Sequence, residues 1–135
     1  METHDNEIVL KPDSLIGDIQ LQFNSLYPFL KIEFLKSGEL PGLKNSGLNS
    51  GYRIMDLSKS SPIAKLNVNK YRTVAQITDD CLNKFGLTMQ LFRKSGNVWN
   101  VISLTDNWTL ESQNNAGEFI SSEMSGVSTL PIKVA

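Results

Sequence analysis

The chain repeats one pattern of apolar residues in SLIGDIQLQFNSLYPFLKIEFLKSG (residues 14–38) and RTVAQITDDCLNKFGLTMQLFRKSG (residues 72–96). The helical parts match at a spacing of 58 positions, and both segments end in Lys-Ser-Gly. Only five of the 25 aligned positions are identical, so the copies share spacing more than residues. Internal repeats constrain architecture before any other feature of a sequence does. We therefore predict two copies of one helix-and-strand unit.

Each copy carries apolar residues at steps of three and four, the period of an amphipathic helix. These stripes are Ile16, Ile19, Phe23 and Tyr27 in the first copy, and Val74, Ile77, Cys81 and Phe85 in the second. Asp13 or Ser14 is expected to cap the first helix, and Thr73 the second. Pro28 and Gly86 are expected to end them. Alternating apolar residues then predict half-buried strands over residues 30–34 and 87–91.

A further strand is expected before each helix, at residues 7–11 and 65–69, which gives each copy the order β-α-β. Two such units interleave into one sheet with both helices on one face. We therefore predict an α+β fold in which duplicated βαβ units form a ferredoxin-like (split βαβ) sheet. A hairpin over residues 87–103 and a third helix, from near Thr109 to around Gly117, are additions to it. Halves of the β-grasp type are the alternative.

The length predicts a single domain, residues 1–135, with the internal repeat at 7–38 and 65–96. Residues 36–63 form a loop-rich insertion of Gly, Ser, Asn and Pro, and so long a connection is usually functional or disordered. The tail, residues 121–135, is expected to be loose.

The net charge of −1 gives no general attraction to nucleic acid or anionic lipid. A single cysteine cannot form an internal disulfide, and no stretch approaches the roughly 18 apolar residues of a membrane span. The amino terminus lacks the basic flank and apolar run of a signal peptide. We therefore expect a cytoplasmic protein without membrane association.

Residues for catalysis are scarce. His4 is the only histidine and lies in a polar tail, which excludes Ser-His-Asp and Cys-His mechanisms and most zinc sites. Cys81 falls on an apolar stripe, where a small buried hydrophobe is expected. Asp79 and Asp80 diverge on a helix and do not converge on one ion. We expect no catalytic residue, no metal and no cofactor, and hence not an enzyme.

The best candidate surface surrounds the predicted hairpin turn. Its residues are Arg93, Lys94, Asn97, Trp99 and Trp108. Basic residues beside an aromatic ring suit contact with a protein, or the stacking of a base and binding of its phosphate. A turn flanked by a packed tryptophan explains the same residues without any partner.

Three segments, FGL at residues 85–87, LFRKSGNVW at 91–99 and LTDNWTL at 104–110, resemble a group of short uncharacterised proteins from Bacteroidota-type bacteria. The stretch from Ile19-Gln20 to Tyr27-Pro28-Phe29-Leu30-Lys31-Ile32-Glu33-Phe34 shares the resemblance. It implies a bacterial cytoplasmic protein. The group has no established activity, so no site residues follow from it.

Three functions are therefore considered. The first is a non-catalytic module for protein interaction or self-association, which the sheet edges favour. The second is a nucleic-acid-binding module that uses the sheet and the basic turn. The third, ranked last, is a small enzyme or ligand binder that uses Glu33, Asp56 or Asp106.

Overall fold

The computed structural model describes residues 6–35, 51–57 and 63–127. Their secondary structure, in chain order, is β1 (Glu7–Leu10), α1 (Ile16–Leu26), β2 (Leu30–Leu35), α2 (Ile54–Leu57), β3 (Ala64–Asn67), α3 (Val74–Phe85), β4 (Thr88–Ser95), β5 (Val98–Val101) and α4 (Leu110–Val127). The predicted α+β class is confirmed. Most of the predicted 36–63 insertion lies outside the described residues, and α2 is the helix within it.

The strands form two antiparallel sheets. β1 pairs with β3, and β2, β4 and β5 form a second sheet with β4 in the centre. The described strands therefore do not form the single ferredoxin-like sheet that we predicted. Nor do the described strands form halves of the β-grasp type, because β1 and β2 both pair with strands of the second half.

Helix α1 covers the edge of β2 that does not pair with β4. Gln20 Nε2 donates to Ile32 O at 3.0 Å, and Asn24 Nδ2 donates to Leu30 O at 2.9 Å. Both carbonyls lie on the edge of β2 that does not pair with β4, since Phe29 O on the other edge accepts from Lys94 N. Side-chain amides thus occupy the edge of β2 that faces away from β4.

The same backbone bridge occurs in both halves, where the segment before one helix meets the segment before the next. It joins Leu15 to Arg53 in the first half and Thr73 to Thr109 in the second. The hydrogen bonds beside the bridges also match: Ile16 N to Tyr52 O and Ile54 N to Ser14 O, against Val74 N to Trp108 O and Leu110 N to Arg72 O. Helices α2 and α4 therefore begin at equivalent positions, and α4 belongs to the repeated pattern.

The core is formed by the two predicted stripes and by the strands. All eight stripe residues are buried: Ile16, Ile19, Phe23, Tyr27, Val74, Ile77, Cys81 and Phe85. Tyr27 also joins the halves, because its hydroxyl donates to Val68 O at 2.6 Å. The apolar stripes are therefore confirmed as core.

Helices α1 and α3, which are equivalent in the repeat, begin differently. Thr73 caps α3 as predicted, in a capping box with Gln76, and Gly86 follows α3 with a φ of 67°. The caps predicted for α1 are wrong, because the N-cap is Leu15 and no side chain caps it. Its first amide, Ile16 N, instead donates to Tyr52 O at 2.8 Å. Ser14 Oγ accepts from Lys11 N in the preceding turn.

Helix α4 runs to Val127, well past Gly117, where we expected it to end. At Gly117 it crosses the sheet so closely that an added Cβ would lie 2.8 Å from Phe29 Cβ and 3.2 Å from Lys94 O. Further along, Ser121 Oγ accepts from Gly96 N at 3.0 Å. These contacts hold helical residues that we expected in the loose tail, of which residues 128–135 lie outside the described part. No helix within the described ranges is long and apolar enough to cross a bilayer.

Candidate functional site

The predicted surface residues divide between the two faces of the β2–β4–β5 sheet. Opposite residues of antiparallel strands share a face, and Lys31 lies opposite Phe92 while Lys94 lies opposite Trp99. The other face carries Leu30 and Ile32, which are buried in the core. Leu30 lies opposite Arg93, so Arg93 and Lys94 point to opposite sides of the sheet.

The open face of this sheet carries an aromatic and basic cluster, which we name the Trp99 face: Lys31, Glu33, Phe92, Lys94 and Trp99. Lys31 Nζ lies 5.1 Å from the centroid of the Trp99 ring and 5.4 Å from that of Phe92. Lys94 Nζ lies 5.9 Å from the centroid of the Trp99 ring. Both distances to Trp99 suit a cation–π interaction, so the indole interacts with two ammonium groups.

Among the described residues, the charges of the Trp99 face are only partly balanced. Lys31 Nζ lies 3.5 Å from Glu33 Oε2, and both side chains remain partly exposed. No ion pair joins Lys94 to a carboxylate among the described residues. Lys94 therefore offers a positive charge beside Trp99 to whatever contacts this face.

A shallow groove extends the Trp99 face toward α1. It has a volume of about 620 Å³, and its lining includes Leu21, Lys31, Glu33 and Trp99. Leu21 is 67% exposed, whereas Ile16, Ile19 and Phe23 of the same helix are buried. The groove thus joins an exposed aliphatic side chain to an exposed aromatic ring.

Arg93 and Trp108 lie together on the inner side of the sheet, away from the Trp99 face. The Arg93 guanidinium carbon lies 5.8 Å from the centroid of the Trp108 ring. Its Nη1 donates to Gln113 Oε1 at 2.8 Å, and Gln113 is fully buried. The five predicted residues therefore do not form one site. Asn97 is exposed in the turn between β4 and β5.

Lys31 and Phe92 were not among the surface residues predicted from the sequence. The signal was present, since Lys31 and Glu33 alternate with the buried Leu30, Ile32 and Phe34, which places them on the open face of a strand. Phe92 had no comparable signal, because only the pairing of β2 with β4 brings it opposite Lys31.

Three of the carboxylates considered for chemistry, Glu33, Asp56 and Asp80, have structural partners, and the partner of Glu33 is Lys31. Asp56 Oδ2 accepts from Arg53 N at the start of α2, and Asp80 pairs with Arg72 at 2.7 Å. Burial, and then the nearby charge of Asp80, raises the pKa of the Cys81 thiol to about 12. A thiol with so high a pKa is a poor nucleophile at neutral pH. Within the described ranges, no three His, Cys, Asp or Glu side chains are placed to hold a metal ion.

The Trp99 face is consequently the described surface that is best suited to bind another molecule. It combines an aromatic anchor, an unbalanced ammonium group and an adjoining groove. These features suit noncovalent contact. No protein-family model, curated protein or solved structure matches this chain.

Proposed function

We propose that this protein is a non-catalytic module that binds protein, either a partner or a second copy of itself, through the Trp99 face. The observation that carries the proposal is the partly exposed Trp99 ring, which contacts the ammonium groups of Lys31 and Lys94 on an open sheet face. Tryptophan is enriched among the residues that contribute most to protein interfaces. Its ring buries a large apolar area with little loss of conformational freedom.

The groove and the charges narrow the kind of partner. Leu21 and Trp99 offer apolar area, and Lys94 offers a charge that no described carboxylate balances. A segment with an apolar side chain flanked by acidic residues would complement this surface. Complementary charge raises the rate of association and selects against basic partners.

Strand β5 supports the self-association form of the proposal. Among the described strands it pairs only with β4, so its other edge is available for pairing. Val98 and Val101 on this strand are exposed, which adds apolar area along the same edge. A second copy that pairs with β5 would extend the sheet beside Trp99.

Sedimentation velocity over a range of concentrations tests self-association. We expect the native chain to form dimers and the Trp99→Ala variant to remain monomeric at the same concentration. Tyr71→Ala is the matched control, because Tyr71 is an aromatic residue that is 66% exposed and lies outside the Trp99 face. A dimer that survives Trp99→Ala would contradict the use of this face.

If the native chain is monomeric, quantitative affinity capture from the native host tests for a different partner. The three baits are the native chain, a Trp99→Ala, Lys94→Glu double variant and Tyr71→Ala. We expect a defined protein to be retained by the native and Tyr71→Ala baits and lost from the double variant. Equal recovery by all three, or no specific recovery, would contradict the proposal.

Single-stranded nucleic acid is the second candidate, and the same arrangement favours it. A partly exposed indole beside two lysines can stack on a base while the ammonium groups contact phosphates. Fluorescence anisotropy with labelled single-stranded RNA and DNA at about 50 mM salt distinguishes a nucleic-acid partner from a protein partner. Binding through phosphate contacts weakens steeply as the salt concentration rises. Salt-sensitive binding that Lys94→Ala weakens would favour nucleic acid over protein.

We also propose a cytoplasmic location. The one cysteine, Cys81, is a buried free thiol, which suits a reducing compartment. Fractionation of native cells, with detection by antibody, tests this part of the proposal, and recovery outside the cytoplasm would contradict it.

A further inference from the structure

Arg93 carries a charge that the described part of the chain does not balance. No ion pair joins its guanidinium to a carboxylate there. Nη1 donates to Gln113, while Nε is buried without a hydrogen-bond partner. A buried polar group without a partner is costly, and more so when it is charged. An anionic ligand would reduce this cost by balancing the charge.

The surroundings hold Arg93 in one orientation. Gln113 is fully buried, and its Nε2 donates to Thr105 O at 2.6 Å and to Thr105 Oγ1 at 3.0 Å. The other end of this amide, Oε1, is thereby directed at Arg93 Nη1. The Trp108 ring lies beside the guanidinium. Arg93 is therefore positioned before any ligand arrives, which lowers the entropic cost of binding.

A cavity of about 240 Å³ lies beside this guanidinium, between Arg93, strand β5 and the segment that follows it. Its polar lining comes from Arg93, Asn100, Ser103 and Thr105, and its apolar lining from Val101, Ile102 and Leu104. Backbone bonds fix its wall, since Ile102 N donates to Leu91 O and Trp108 N donates to Thr105 O, both at 2.9 Å. The cavity therefore offers one cation, neutral polar groups and apolar side chains.

We propose that this cavity, the Arg93 pocket, binds a carboxylate carried on a short apolar group. The planar guanidinium fork matches a carboxylate, and one positive charge suits a monoanion better than a doubly charged phosphate. The apolar lining and the volume of about 240 Å³ suit a short aliphatic group. The source is either a free small acid or the carboxyl terminus of a peptide. Arg93 lies on the other side of the sheet from the Trp99 face, Val101 on the edge strand borders both surfaces, and the inference goes beyond the proposed function.

Titration of the ¹⁵N-labelled chain with isobutyrate, followed by NMR, tests the pocket directly. We expect the Arg93 Nε–Hε signal and the amide signals of Ser103 and Thr105 to shift and saturate with a Kd of about 1 mM. Isobutyramide has the same shape without the charge, and we expect it to bind at least about tenfold more weakly. Equal binding of the amide, or no shift at about 50 mM isobutyrate, would overturn the proposal.

Two variants separate the pocket from general effects. Arg93→Gln removes the charge, and Ser103→Leu fills the cavity from its exposed rim while leaving Arg93 and Gln113 in place. We expect both to abolish the isobutyrate shifts at Thr105. Asn97→Ala in the nearby turn is the control and should leave them unchanged. If Arg93→Gln does not fold, Ser103→Leu still decides, and saturable shifts in that variant would overturn the proposal.

A final comparison identifies the source of the carboxylate. N-acetyl-Gly-Val with a free carboxyl terminus is titrated beside its amidated form. Tighter binding of the free peptide than of isobutyrate indicates a chain terminus, and binding of isobutyrate alone indicates a small acid. Either result supports the carboxylate site, whereas binding of the amidated peptide as well as the free one would contradict it. Neither result depends on Trp99, so the test of the Arg93 pocket and the tests of association through the Trp99 face are independent of each other.

Discussion

Single residues decide how closely α4 lies on the sheet. Gly117 is the clearest case, because a Cβ there would lie 2.8 Å from Phe29 Cβ, 3.2 Å from Arg93 Cγ and 3.2 Å from the backbone oxygen of Lys94. The Lys94 oxygen cannot move without moving β4. The glycine thus allows the close approach that keeps the helix beside Arg93 and the hairpin turn.

We therefore expect Gly117→Ala to lower the free energy of unfolding. Alanine favours a helix over glycine by about 1 kcal/mol, but overpacking costs about 1–3 kcal/mol, and a backbone neighbour gives the higher end. Asn115→Ala is the control, because Asn115 is exposed on the same helix. Urea unfolding of both variants measures the difference. A Gly117→Ala variant more stable than the native chain would contradict the close approach.

Cys81 gives a pH-dependent prediction at the same scale. Burial raises the pKa of its thiol from 9.0 to about 12, so above pH 9 the unfolded chain loses a proton that the folded chain keeps. The contribution of the neutral thiol to the free energy of unfolding is therefore fully present below pH 9 and is lost as the pH rises toward 12. The slope is about 1.4 kcal/mol per pH unit for one group.

Urea unfolding between pH 8 and pH 11 checks this against Cys81→Ala, which lacks the titrating group. The pKa of Tyr27 is also raised by burial, so a smaller decline with the same sign is expected in the variant. The difference in slope between the two chains measures Cys81 alone. Parallel curves would show that the thiol is not buried as described.

At the scale of elements, the two equivalent helices begin by different means. Thr73 Oγ1 accepts from Gln76 N at 3.1 Å, and Gln76 Oε1 accepts from Thr73 N at 2.9 Å. Leu15, at the same place before α1, has no side-chain cap. The backbone bridge between Leu15 and Arg53 holds that helix instead. The start of α1 therefore depends on a long-range contact, whereas α3 also has a local cap.

Replacing Thr73 by alanine should cost about 1 kcal/mol, the usual effect of losing an N-cap. Thr78→Ala is the matched control in the same helix. Thr78 Oγ1 donates to Ala75 O, a bond that does not favour helix formation, so this change should be neutral or slightly stabilising. Thermal or urea unfolding distinguishes the two. Equal effects of the two variants would argue against the capping box.

At the scale of the whole molecule, the helices of the repeat, their buried stripes and the β4–β5 hairpin could be predicted from sequence, but the pairing of strands far apart in the chain could not. Apolar spacing identifies a buried face for Phe23 or Ile77 without naming its partner. The pairing of β2 with β4 depends on contacts more than 50 residues apart, and α1 closes the edge of β2 with Gln20 and Asn24. In the candidate site, too, contacts between residues close in sequence could be predicted and contacts between distant strands could not. Lys94 and Trp99 are neighbours in one hairpin and were found together, whereas Lys31 reaches them only through the sheet.

Site-specific photo-crosslinking in the native host tests the proposed protein-binding role of the Trp99 face most directly. Benzoylphenylalanine replaces Val101, which lies opposite Phe92 on β5, and in a second strain it replaces Tyr71 as the control. We expect irradiation to join one defined protein, or a second copy of this chain, to position 101 and not to position 71. Adding Trp99→Ala should remove that adduct. No adduct at position 101, or the same adducts at both positions, would contradict the proposal that this face binds protein.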